Sequence, residues 1–320
     1  MDALAEILRA VKIDSAIYLS GEFSEPWCVV SPKAGELAHA FGREGAHVIV
    51  YHLLCEGHAY CELAGGESVA LSAGDLVALP HGHSHRLGAG GRATPIDVAR
   101  ALPGILERGL EPVTGGGGGE ASKFICGYLA CDPHLSQSFL NGLPPVIRLN
   151  IRDDVSGQWL ENSLRFSVSQ AASRDAGAQE VVAKLSEVFF AEALRRYQRE
   201  LPPGETGWFA GARDPAVGRA LTLMHHRYVH PWTVPALARE VGVSRTVLAE
   251  RFRHFLGESP IAYLTRWRLR LGARALTSTN HSVAQIAAEV GYESEAAFNR
   301  AFKREYGAPP ARYRREHQPA

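Results

Sequence analysis

The sequence predicts a two-domain α+β chain, with a β sandwich or barrel flanked by helices over residues 1–201, a linker over 202–212 and an all-helical domain over 213–320. Three observations carry this. The first half holds short apolar runs bounded by Gly and Pro, the last third holds an internal repeat with helical spacing, and charge divides sharply between the two. A length of 320 residues with 46% hydrophobic content suits about two globular domains at roughly 150 residues each.

The formal net charge of zero hides the division. Residues 210–320 carry 17 Lys and Arg against 9 Asp and Glu, a net +8, and residues 1–209 carry the opposite −8. An acidic half joined to a basic half points to a polyanionic partner for the basic one. Only Lys303 among the 17 is a lysine, and Arg is the better fork for phosphate oxygens and guanine edges. No apolar run of about 18 residues is present, which argues against a membrane span. The opening Met1-Asp2-Ala3-Leu4-Ala5-Glu6 lacks the basic start and apolar core of a secretory signal, so a cytoplasmic location is expected. Five cysteines, an odd number with no CxxC pair, argue against a disulfide framework and a structural zinc site.

Taken in order, residues 3–12 have helical spacing, with Leu4, Ile7, Leu8 and Val11 on one face. From about 17 to 150, runs such as His47–Leu54, Ser68–Leu71 and Asp75–Leu79 predict strands. The five glycines Gly115–Gly119 predict a flexible surface loop. Residues 179–200 return to helical spacing, with Val182, Leu185, Phe189 and Leu194 placed to pack on the barrel or to make a dimer contact. Leu201-Pro202-Pro203-Gly204 ends that helix, and 213–316 read as helices throughout.

The repeat lies in this last part. Val234–Ser244 followed by Arg245–Phe255 matches Val283–Ser294 followed by Glu295–Tyr306. Each copy has an Ala four residues before a turn Gly, Ala238 before Gly242 and Ala287 before Gly291. The small side chain lets two helices approach, and the Gly supplies the positive φ of the turn. Thr233, Ser244, Ser282 and Ser294 are suited to cap the helices that follow them. Two such helix-turn-helix units in a +8 domain predict binding to duplex DNA.

Helix phase separates the faces of the second helix in each unit. In the first, Val247, Leu248 and Phe252 are expected to face inward, leaving Arg245, Thr246, Ala249, Glu250 and Arg253 outward. In the second, Ala297, Phe298 and Phe302 face inward and Glu295, Ala296, Asn299, Arg300 and Lys303 outward. Arg300 can fork onto guanine, Asn299 can pair with adenine, and Glu250 or Glu295 can accept from cytosine. Arg253 and Lys303, one turn further on, are placed for phosphates. The stretches Pro231–Val234, Arg251-Phe252-Arg253, Pro260–Leu264, Gly291–Phe298 and Phe302–Arg314 resemble the AraC/XylS family of bacterial transcription regulators. The resemblance implies two recognition helices in successive major-groove segments, a promoter as partner, and RNA polymerase as a second partner if the protein activates, which the family favours.

In the first half, Gly74-Asp75-Leu76-Val77-Ala78-Leu79-Pro80-His81-Gly82-His83-Ser84-His85 has the spacing G-x5-P-x-G-x2-H. This resembles the second motif of the cupin superfamily of double-sheet jelly rolls, whose His is a metal ligand in metal-binding members; that implies His85. The first cupin motif is degraded. His47, His52 and Cys55 lie in the matching strand without the family's spacing. Positions 48, 50, 52 and 54 share a strand face, so His52 is expected to point inward and meet His85 across the barrel, with His83 as a further candidate. Three readings stay open: a transition metal (zinc, nickel, copper or iron) on these imidazoles, polar lining of an apolar effector pocket, or no role. With Asp2-Ala3-Leu4 and Phe124–Leu129, the half resembles the cupin sensor domain of one AraC subgroup; that subgroup includes sensors of reactive chlorine species, which makes Cys126 a candidate redox site, whereas as a buried small hydrophobe it would be inert. The function expected is that of a one-component, homodimeric regulator, an activator as the resemblance implies, rather than an enzyme, because a cupin dioxygenase needs a complete metal triad. Its effector would be a small molecule, a metal or an oxidant.

Overall fold

The computed structural model describes residues 3–10, 13–38, 46–108, 112–131, 139–140, 142–172 and 178–317. The chain divides into two compact units. A sheet unit takes Ile13–Cys131 and Leu143–Tyr197, and a helical unit takes Gln198–Ala320 with the described residues of Met1–Lys12 and Asp132–Gly142.

The sheet unit is a jelly roll of two facing sheets. Its strands are β1 (Ile13–Ser24), β2 (Trp27–Ser31), β3 (His47–Glu56), β4 (His58–Leu63), β5 (Ser68–Ser72), β6 (Asp75–Leu79), β7 (His85–Ala89), β8 (Ile96–Asp97), β9 (Val113–Gly116), β10 (Ala121–Cys131) and β11 (Ile147–Asn150). One sheet runs β11-β6-β3-β10-β1-β9 and the other β5-β4-β7-β2-β8. Period-2 alternation turns cross-strand partners to the same side. Leu19, Cys126, His52 and Val77 therefore form one inward row of the first sheet, and Ser31, His85 and Leu63 a row of the second. At one end the core closes on a stack of Phe23 on Trp27 (ring centroids 4.7 Å) and an edge contact of Trp27 with Phe124 (5.6 Å). Buried Asp75 accepts from the Ser72 backbone N–H (2.8 Å), from Asn150 Nδ2 (3.0 Å) and from Arg148 Nη2 (2.8 Å), tying β11 to the β5–β6 turn.

Helices α2 (Ala34–Leu37), α3 (Val98–Arg108), α4 (Val155–Ala172) and α5 (Ala178–Glu200) complete the sheet region. Helix α5 matches the expected 179–200, whereas α3 and α4 were not expected. Pro103 inside α3 reads as a breaker. The glycine run also differs from expectation. Gly115 and Gly116 belong to β9, which pairs in parallel with β1. A Cβ on Gly116 (φ +119°) would sit 1.8 Å from the Ser24 carbonyl oxygen, and one on Gly117 2.4 Å from Pro26 Cδ. Close backbone approach, not flexibility, is what these glycines provide.

The helical unit contains α1 (Ala3–Ala10), α6 (Trp208–Arg213), α7 (Pro215–His226), α8 (Val234–Val241), α9 (Arg245–Leu256), α10 (Pro260–Ser278), α11 (Val283–Glu289), α12 (Glu295–Tyr306) and α13 (Pro310–His317). Two expected boundaries need correction. The 202–212 linker is in part helix α6, because Trp208 and Phe209 are buried aromatic anchors. The 1–201 domain loses its first helix, because α1 packs on α7 and buries Ala3 and Leu4 in the helical unit.

Both helix-turn-helix pairs are built as their residues require. Thr233, Ser244, Ser282 and Ser294 each accept from a backbone N–H in the first turn of α8, α9, α11 and α12, and Ser282 with Gln285 forms a full capping box. Gly242 (φ +78°) and Gly291 (φ +83°) make the turns. Ala238 and Ala287 are buried at the helix crossings. Phe298 and Phe302 enter a core with Leu269, Ala273, Leu276 and Ile286.

Candidate nucleic-acid interface and candidate effector cavity

The outward faces of α9 and α12 carry the residues expected to meet DNA. Arg245, Thr246, Glu250 and Arg253 are exposed and Ala249 is half-buried on α9; Glu295, Ala296, Arg300 and Lys303 are exposed and Asn299 is half-buried on α12. Leu248, Phe252, Phe298 and Phe302 are buried behind them. Several of the basic residues nearby are spent on the fold. Arg251 is held by the Asp214 carboxylate (2.6 Å) and Arg266 by Glu258. Arg268 donates to the Tyr228, Val229 and His230 carbonyls, and Arg314 to those of Leu276 and His281. The side chains of Arg245, Arg253, Arg300 and Lys303, in contrast, have no ion-pair or hydrogen-bond partner among the described residues, a state they share with Arg219 and Arg239 away from these faces. Asn299 Nδ2 lies 3.4 Å from Glu295 Oε1, a long contact that a base edge can displace.

Beneath this surface is a buried polar chain that sequence reasoning missed. Trp208 Nε1–H donates to the Tyr263 hydroxyl (3.0 Å), so the hydroxyl proton is free to go to His225 Nε2 (2.9 Å). The ring proton of His225 then sits on Nδ1, which is buried without a partner. Burial holds the His225 pKa down to about 3, and the ring stacks on Trp267 with centroids 4.3 Å apart. The only clue in the sequence was Tyr263, inside the Pro260–Leu264 stretch.

In the sheet unit, an internal cavity of about 530 Å3, counting its opening to solvent, lies between the facing sheets. Helix α3 lays Val98, Ala101 and Ile105 along it, and His52 and Cys126 are in its wall. His52 Nε2 and His85 Nε2 are 2.8 Å apart, and His52 Nδ1 is 2.7 Å from Cys126 Sγ. One tautomer pattern satisfies all these contacts. His85 Nδ1–H donates to the His83 carbonyl (2.9 Å), so its Nε2 accepts from His52 Nε2–H, and the bare Nδ1 of His52 accepts from the Cys126 thiol. The protonation balance agrees. Burial, and then the neighbouring His85, holds His52 well below the usual histidine range. Burial lowers His85 too, partly offset by the His83 carbonyl. Burial, then Cys55, pushes the Cys126 thiol up.

His83 contributes its carbonyl to this chain and not its ring, which lies edge-on to His81 at 5.5 Å. His47 Nε2 is spent on the Pro80 carbonyl (2.6 Å). A cupin metal would need donors converging on one point. Here the His52 ring stands between the other two donors, with one nitrogen on Cys126 and the other on His85. Among the described residues no three His, Cys, Asp or Glu side chains are grouped to hold a metal ion. This arrangement does not fit such a site.

A Cupin family model matches residues 2–199 and a Helix-turn-helix domain model residues 237–316. An AraC-like transcription regulator from Streptomyces antibioticus is 32% identical over 100% of both chains, and one from Streptomyces lividans 30% identical over 98% of both. Among solved structures, the DNA-binding domain of AdpA in complex with a target DNA is 28% identical, covering 32% of this chain and 92% of that one, with a TM-score of 0.31. Among the described residues no helix is long and apolar enough to cross a membrane. With a Cupin model matched over residues 2–199 and relatives aligned end to end, the chain belongs to the AraC-like, DNA-binding transcription regulators that carry an N-terminal cupin sensor domain.

Proposed function

We propose that the protein is a homodimeric one-component regulator. The helical unit binds promoter DNA through α9 and α12 in successive major-groove segments, and a small effector bound in the jelly-roll cavity controls it. The observation that carries the DNA-binding part is the pair of capped helices whose outward faces present Arg245, Arg253, Arg300 and Lys303 to solvent. These side chains are unpartnered among the described residues, while Arg251, Arg266, Arg268 and Arg314 are spent on holding the fold. Arg300 and Asn299 read base edges, Arg253 and Lys303 engage phosphates, Arg245 and Thr246 lie on the same DNA-facing side, and Glu250 or Glu295 accepts from cytosine. The cavity geometry favours an organic effector over a metal, for the reason given above. It also disfavours oxidant sensing at Cys126, since a sensor thiol is normally a low-pKa thiolate and this one is a neutral donor. The expected outcome in transcription is activation, by contact with RNA polymerase.

The test is a footprint of the purified chain on its own upstream region, repeated across a salt series. A protected segment spanning two adjacent helical turns, with steep salt dependence, is expected. Equal affinity for every duplex, or none at low salt, would refute the reading.

A further inference from the structure

We propose that the effector is an uncharged, predominantly apolar small molecule. The inference rests on reading the jelly-roll cavity as the effector site and adds the ligand's chemical class. The first support is charge. Among the described residues no Asp, Glu, Lys or Arg lines the cavity, whose walls are set by side chains such as Leu19, Phe23, Val29, Leu87 and Phe124. A carboxylate or ammonium brought here would lose its hydration with no counter-ion to meet it.

The second support is the state of His52, Cys126, Tyr128 and Ser31, which reach the wall together with Ser20. Inward-facing His52 and Cys126 bond to each other, and His52 to His85. Tyr128 bonds to Ser31. These groups satisfy one another across the two sheets, so a ligand rich in hydroxyls would bury its own donors and acceptors unpaired. A sugar is therefore the wrong chemistry, and an aliphatic or aromatic molecule with at most one neutral polar atom is the right one.

The charge argument also says how to convert the site. Ile96 is half-buried on the short strand β8 and lines the cavity. A lysine there can lay its stem along the wall and present its ammonium to the space. Ile96→Lys should therefore accept an anionic ligand that the unaltered chain rejects.

The experiment uses the full chain and a neutral fluorescent probe, N-phenyl-1-naphthylamine, displaced by matched competitors: octan-1-ol, octanoate, octylammonium and glucose. Saturable probe binding is expected. Octan-1-ol should displace the probe at concentrations lower than the charged analogues need by on the order of 100-fold, and glucose should have no effect. Ile96→Lys should shift the preference toward octanoate, and circular dichroism identical to that of the unaltered chain would show that the variant is folded. Octanoate or octylammonium displacing as well as octan-1-ol in the unaltered chain would overturn the proposed class while leaving the cavity as the effector site. If neither the probe nor any competitor bound, the cavity reading itself would fall, and the class with it.

Discussion

At the residue scale, the unpartnered cations on the outward faces divide by what they would touch. Arg300→Ala should cost about 1–3 kcal/mol on the correct duplex and much less on a scrambled one, since a base contact adds little to non-specific binding. Arg253→Ala or Lys303→Ala should weaken both duplexes alike and lower the salt slope by about one unit. Salt titration of each variant on both duplexes separates the roles, and equal losses for Arg300→Ala would make it a phosphate clamp. Burial of these side chains cannot confuse the result, because all three are exposed.

His225 gives a second residue-scale prediction. Its pKa falls from 6.5 in the unfolded chain to about 3 in the fold, so the unfolded chain takes up the proton first. Its stabilising contribution is complete above pH 6.5 and drains away as pH falls toward 3, at roughly 1.4 kcal/mol per pH unit. Proton NMR should show a His225 ring that does not titrate down to pH 5. A midpoint near 6.5 would mean that the Trp208–Tyr263–His225 chain is open to water.

At the element scale, the two helix-turn-helix turns look alike in sequence but tolerate different changes. A Cβ on Gly242 meets nothing within 4 Å, whereas one on Gly291 would lie 2.9 Å from Val229 Cα and 3.0 Å from its oxygen. Gly242→Ala should thus cost only the left-handed backbone penalty, about 1–2 kcal/mol, and Gly291→Ala measurably more. Denaturant unfolding of both variants checks the order. The helical repeat was legible because its signals are local: caps, turn glycines and a phased apolar stripe. The His52–His85 pair was legible from strand parity plus one spaced motif. What was not legible depends on partners distant in the chain. Nothing around Gly115–Gly119 indicates that Ser24 and Pro26 lie against it, nothing near Trp208 indicates that it is an anchor, and nothing before the fold shows that the His83 ring turns away while its carbonyl stays.

At the scale of the whole molecule, the proposed homodimer makes its own forecast. Val181 and Val188 are exposed on helix α5, two turns apart on one side. If this face meets a second copy, Val188→Asp should raise the dimer dissociation constant at least about tenfold, as sedimentation equilibrium would show. An unchanged association constant would move the contact elsewhere.

The division of the chain has a practical consequence. Helix α1 buries Ala3 and Leu4 against the helical unit, and the chain then leaves for the sheet unit at Ile13 and returns for good only at Gln198. A protease nick in the exposed Pro202–Glu205 stretch would therefore cut one covalent path without freeing either piece, because the fragment that begins at Met1 still has its first helix docked on the other. The two products should run apart on a denaturing gel and elute together from a sizing column. A chimera spliced at that point would also inherit a foreign α1, so exchanging sensors between relatives requires keeping Met1–Lys12 and Asp132–Gly142 with Gln198–Ala320.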